Sequence, residues 1–157
     1  TPSIRNTSNL NKIEKLIFYL KKKGFVIIVL GNNSDKFPNY LKRKIKDTNL
    51  IYLNELSKDY SIHDQFYLAK KCSFYLGSAS GASIPYFLLE KKIIHFDTTK
   101  HQYDSRAKNI QWLYKRIKIK NRFYILNANS LKFNKKKSLQ LKENSYDEIV
   151  NKVKSLI

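Results

Sequence analysis

Between two apolar runs, residues 74–89 read FYLGSASGASIPYFLL. Small residues and the hydroxyls of Ser78, Ser80 and Ser83 fill the middle of the stretch. A strand that ends in glycine and opens a helix presents backbone N–H groups and a positive dipole end to an anion. Small side chains let a phosphate approach that backbone, and serine hydroxyls add donors. The patch is shaped like a diphosphate cradle. A tight strand-to-helix turn with a serine cap explains the same residues with nothing bound.

Other chemistries fit less well. No Gly-Lys-Ser/Thr follows as in a Walker loop, and the pattern is not G-x-G-x-x-G. Gly77, Ser80 and Gly81 stand one residue out of register for a nucleophile elbow. His95 lies inside an expected strand and reads as a packed residue rather than a general base. Cys72 is the only cysteine, which excludes an internal disulfide and a cysteine-based zinc site. At the end of a helix it reads as a small buried hydrophobe. No Asp-x-Asp and no His/carboxylate cluster at ligand spacing occurs, so neither a metal nor another cofactor is expected.

The elements that must position the patch follow from periodicity. Residues 9–23 carry Leu10, Ile13, Leu16, Ile17 and Leu20 at helical spacing, closed by Gly24. FVIIVL at 25–30 reads as a strand buried on both faces, and residues 40–45 as a short helix. LIYL at 50–53 is a second strand. Residues 61–72 form a helix capped by Ser61, with Asp64 in its first turn. SFYLG is a third strand, 82–90 a helix, and KIIHF at 92–96 a fourth strand. From 98 to 120 the pattern weakens to one amphipathic element around Trp112, a core or docking residue. Residues 123–126 suit a further strand. Ser145 and Glu148 announce a final capped helix. Helices alternating with short apolar strands predict an α/β fold, a Rossmann-like parallel sheet flanked by helices.

The chain has 157 residues, 42% of them hydrophobic, as one folded domain with a core requires. No apolar run is long enough to span a bilayer as a helix. The chain starts at Thr1 and contains no Met, as expected of a piece of a longer protein. Its formal charge of +19 predicts attraction to anionic ligands or an anionic membrane surface. Only five of the 31 basic residues are Arg, the side chain preferred for base and phosphate forks, so nucleic acid is not the favoured partner. A basic α/β binding module for nucleic acid or anionic membrane remains the alternative reading.

The order of SIRN, KKKGFVIIVLG, HDQFYLAKKCSFYLGSASGASIPYFLLEKKIIHFD and ENSYDEIVNKV resembles the carboxyl-terminal, nucleotide-sugar-binding half of bacterial GT-B glycosyltransferases. The resemblance covers most of the chain, is strongest over 64–96 and weakens over 98–142. It implies one half of a GT-B architecture in an enzyme of surface polysaccharide or glycolipid assembly. A nucleotide-diphosphate sugar would be the donor, and an acceptor-binding amino-terminal domain would be the partner. The site would be cytoplasmic, peripheral to the inner face of the membrane. By this resemblance Ser78, Ser80 and Gly81 hold the pyrophosphate, and Gly31 lets the ligand approach the first strand. Arg5 pairs a phosphate through its guanidinium fork, and Asn6 serves the sugar or the base. The base of such enzymes usually comes from the other half, so no catalytic residue is assigned and the piece alone is expected to be inactive. Asp97, at the end of a strand, fits either a sugar hydroxyl or a structural turn.

Overall fold

The computed structural model describes residues 9–30, 40–41, 45, 50–53, 61–100, 107–127 and 140–157, which fall into two compact units. In the unit spanning Asn9–Leu68, helix α1 (Leu10–Lys22) buries Ile13, Leu16, Ile17 and Leu20 and packs against strand β1 (Ile27–Val29). Asn9 caps its start, accepting the Lys12 N–H through Oδ1. Its end is a Schellman turn: Gly24, at φ 84°, bonds the Lys21 carbonyl while Phe25 reaches back to Leu20. Strand β2 (Leu50–Tyr52) runs parallel to β1, pairing Ile28 with Ile51. The apolar run containing β1 is less enclosed than expected, because Val26 is 61% exposed and Ile27 and Ile28 are half-buried. The expected helix at 40–45 lies largely outside the described residues.

Helix α2 (Ile62–Lys71) begins with a reciprocal cap. Ser61 accepts the Asp64 N–H at its hydroxyl and donates its own N–H to Asp64 Oδ2 at 2.7 Å. That Ser61 N–H, then the Ser61 hydroxyl, holds the Asp64 carboxyl below the usual carboxylate range.

The second unit holds the central sheet, β3 (Phe74–Gly77), β4 (Lys92–Thr98) and β5 (Ile110–Tyr114), all parallel in the order β3-β4-β5. β4 lies in the middle, and its residues from Ile93 onward are buried. Alternation sorts the side chains. Tyr75, Ile93, His95 and Trp112 share one face, where helix α3 (Ile84–Leu88) sets the Tyr86 ring 4.9 Å from Tyr75. Ile94, Phe96 and Gln111 share the other, where helix α4 (Tyr146–Lys154) packs and Gln111 donates to the Ser155 hydroxyl. Helices on both faces of a parallel sheet match the expected α/β class. The capping box expected at Ser145 and Glu148 is present.

One part of the expected architecture needs correction. The amphipathic element expected around Trp112 is strand β5 and the strand expected at 123–126 is present at Arg122–Ile125, but the sheet beyond β5 is not parallel. Beyond β5 the chain builds an antiparallel sheet from β6 (Arg116–Ile119), β7 (Arg122–Ile125) and β8 (Leu141–Lys142), in the order β7-β6-β8. The physical reason is the two-residue connection Lys120–Asn121, with Lys120 at φ 54°, which can join only antiparallel neighbours.

Candidate functional site

The expected cradle follows the carboxyl end of β3, the end at which parallel sheets bind ligands. Gly77 pairs with His95 across the sheet, and the chain then leaves as a bend at residues 78–80. A 3-10 turn, Gly81–Ser83, precedes α3. The continuous helix expected at 82–90 is therefore only five α-helical residues behind one tighter turn, so its dipole is small. Pro85, near the start of α3, takes φ at little cost where an N–H would be unused.

The three serines are not equivalent. Ser83 is buried, donating its hydroxyl to the Ser80 carbonyl at 2.7 Å, so it shapes the turn. Ser80 and Gly81 are exposed, and Ser78 is half-buried. Ser80 is extended, at φ −151° and ψ 170°, and makes no side-chain cap to the turn. A Cβ placed on Gly81 would meet nothing within 4 Å, whereas one on Gly77 would stand 2.9 Å from the Tyr75 hydroxyl oxygen. The first N–H groups of such a turn have no acceptor within it. Ser78, Ser80 and Gly81 are thus brought together in one exposed turn. Arg5, Asn6 and Gly31 lie outside the described residues.

Beneath the turn the sheet face is aromatic. The Tyr75 hydroxyl donates to the Ser78 carbonyl at 3.4 Å and also meets the Ser80 side chain. Burial pushes the Tyr75 phenol up, and the Ser80 contact offsets part of that. Burial also raises Tyr86, with Cys72 and Tyr75 adding to it. The Cys72 thiol is also pushed up by burial, against smaller opposing effects of Tyr86 and Lys91. These groups stay protonated near neutrality, and Tyr75 is the one that touches the turn. Lys91 itself is turned to the Lys70 carbonyl, at 2.8 Å. His95 is 4% exposed and lies 4.5 Å from the Trp112 ring, which stacks in turn on Tyr114. Both residues hold the packing positions expected for them.

No family model, curated protein or solved structure matches this chain.

Asp97 takes the structural of its two expected roles. Between His95 and Thr98 two residues of β4, Phe96 and Asp97, oppose only Leu113 of β5, and Asp97 occupies this bulge at φ 52°, fully buried. Its carboxylate accepts the Asn144 N–H, and Asn144 returns the bond through Oδ1. Beside it Lys115, 2% exposed, lies 3.6 Å from the Glu143 carboxylate. Sequence reading missed Asn144, Lys115 and Glu143, since Lys and Asn are so frequent here that none stands out by type. The sign that could have found Lys115 is its position directly after an apolar strand, among Trp112, Leu113 and Ile117. Among the described residues no group of three or more His, Cys, Asp or Glu is placed to hold a metal ion, and no helix is long and apolar enough to cross a membrane.

Proposed function

We propose that this chain is the donor-binding part of a metal-independent glycosyltransferase, taking a nucleotide-diphosphate sugar for surface polysaccharide or glycolipid assembly. One observation carries the reading: residues 77–83 form a turn of small residues at the end of a parallel strand, open at Ser80 and Gly81. A pyrophosphate needs N–H donors and close backbone approach, and this turn offers both without side-chain bulk. With so short a helix behind the turn, local N–H and hydroxyl donors supply more of the attraction than a dipole does. The resemblance of the segment order to GT-B enzymes adds the expectation that Arg5 and Asn6 contact the ligand. Charge on the departing diphosphate would be met by N–H groups and cations. Transfer requires an acceptor held in line by the other half, so the chain alone transfers no sugar.

Calorimetry against nucleoside diphosphates and their sugars, in chelator and in magnesium or manganese, tests the reading. Saturable binding in chelator is expected. Binding only with metal overturns the metal-free mechanism. The charge of +19 favours a second reading, a module that holds any polyanion. Steeply salt-dependent binding without preference for a nucleoside diphosphate over inorganic polyphosphate would establish that reading instead.

A further inference from the structure

The β6–β7 hairpin leaves apolar side chains in solvent on both of its faces. All four residues of β7 are exposed. Phe123, Tyr124 and Ile125 are 46%, 48% and 51% accessible, and Ile119 across the turn is 52% accessible. Residues directly opposite in an antiparallel pair share a face. The pairs Lys118↔Phe123 and Arg116↔Ile125, with Lys142 beside Arg116 on β8, form one face. Ile119, Arg122 and Tyr124 lie on the other. Lys142 Nζ sits 4.8 Å above the Phe123 ring. Residues 116–125 contain Arg116, Lys118, Lys120 and Arg122 and no acidic residue. Arg116 is engaged by Glu148 at 2.7 Å, whereas Lys118, Lys120, Arg122 and Lys142 are exposed.

We propose that this hairpin docks the protein on an anionic lipid bilayer. Phe123 and Ile125, on one face, enter the boundary between headgroups and acyl chains, and Lys118 and Lys142 on that face, with Lys120 at the turn, hold anionic headgroups. Charge complementarity selects this occupant: two exposed apolar side chains flanked by cations on one face match an interface that is apolar below and negative above. Lys and Arg stems are long enough to lie along the apolar surface while keeping their charge at headgroup level. Ile125 beside Phe123 speaks against single-stranded nucleic acid, since base stacking uses aromatic faces and an aliphatic side chain offers none. Insertion is shallow, because the outer edge of β7 carries backbone groups that need water or headgroup partners. The docking is independent of the donor-site reading, and either can hold without the other.

Sedimentation of the full 157-residue chain with phosphatidylcholine vesicles, and with vesicles of which about one third is phosphatidylglycerol, tests the proposal. The parent should pellet with the anionic vesicles only. Phe123→Ser/Ile125→Ser keeps every charge and should bind them about tenfold more weakly. Lys118→Gln/Lys142→Gln should lose about tenfold or more. Both replace exposed side chains, and circular dichroism like the parent's verifies the fold. If the double serine variant pellets as the parent does, the attraction is only that of a strongly basic chain for any anionic surface, and the proposal fails. It also fails if the parent ignores the vesicles. Single-stranded RNA that binds through Phe123 and that anionic vesicles cannot displace would overturn it in favour of nucleic acid.

Discussion

Asp97 and Asn144, 47 residues apart, hold each other by two reciprocal hydrogen bonds. Asn144 donates its N–H to Asp97 Oδ1 at 2.6 Å, and Asp97 donates its N–H to Asn144 Oδ1 at 2.7 Å. The Asn144 amide also donates to the Tyr114 carbonyl at 3.1 Å. One buried asparagine therefore ties the bulge of β4, the end of β5 and the approach to α4. Asn144→Ala would leave a buried N–H and a buried carbonyl without these partners, costing about 2–4 kcal/mol. Urea unfolding should show a lower midpoint at unchanged slope. Asp97→Asn keeps an acceptor and tolerates φ 52°, so it should cost less than Asp97→Ala. A sugar-binding carboxylate would instead give Asp97→Asn normal stability and no donor binding.

Gly81 and Gly77 should separate ligand space from packing. Gly81→Val meets open space and should cost roughly 1 kcal/mol or less in stability. It should nevertheless abolish nucleoside-diphosphate binding, since the valine fills the space the pyrophosphate needs. Ser80→Ala should be milder, roughly a tenfold loss. Gly77→Ala drives a methyl to 2.9 Å from the Tyr75 oxygen and should destabilise by about 1–3 kcal/mol. Thermal unfolding and calorimetry at matched salt distinguish the three. A folded Gly81→Val that binds like the parent would leave residues 77–83 as a turn only.

Glu148 links helix capping to acid stability. Burial pushes its carboxyl up, but the Ser145 N–H and the Arg116 guanidinium outweigh that and hold it below the usual range. A depressed carboxylate stabilises the fold above its unfolded pKa, and the gain is lost as pH falls through the folded one. Glu148→Gln should therefore be less stable than the parent at neutral pH. The gap should close as pH drops below roughly 4. Denaturation series across acid pH measure it, and a gap that persists at low pH would contradict the assignment.

Cys72 should be slow toward iodoacetamide at neutral pH, because burial raises its thiol and little thiolate is present. Unfolding in urea should restore the ordinary rate. Mass spectrometry of timed samples reads both, and fast labelling of the folded chain would place the thiol in solvent.

Periodicity and capping chemistry made α1, α2, α4 and strands β1 to β4 legible in advance. Asn9, Gly24, Ser61 and Ser145 act locally, so their neighbours in sequence suffice to reveal them. The strand at 123–126 was legible but its antiparallel pairing was not, because Lys120–Asn121 has no Gly or Pro and a lone Asn is a weak sign of a turn in a chain so rich in Asn. RIKI at 116–119 nevertheless alternates as a half-covered strand should, and only Ile117 is deeply buried. Residues 77–83 were recognisable as a strand-to-helix turn, but the burial of Ser83 and the closeness of Tyr75 to Gly77 depend on folding back. The partnership of Asp97 with Asn144 has no local signal at all.

That partnership also sets an order of events during synthesis. When β4 and β5 have left the ribosome, the bulge at Asp97 still lacks the asparagine that satisfies it, and dozens more residues must emerge first. Distant contacts of this kind delay completion of a fold. A nascent chain stalled before Asn144 should therefore hold β4 in a loosened, protease-sensitive state. One released a few residues beyond it can lock the sheet and turn resistant.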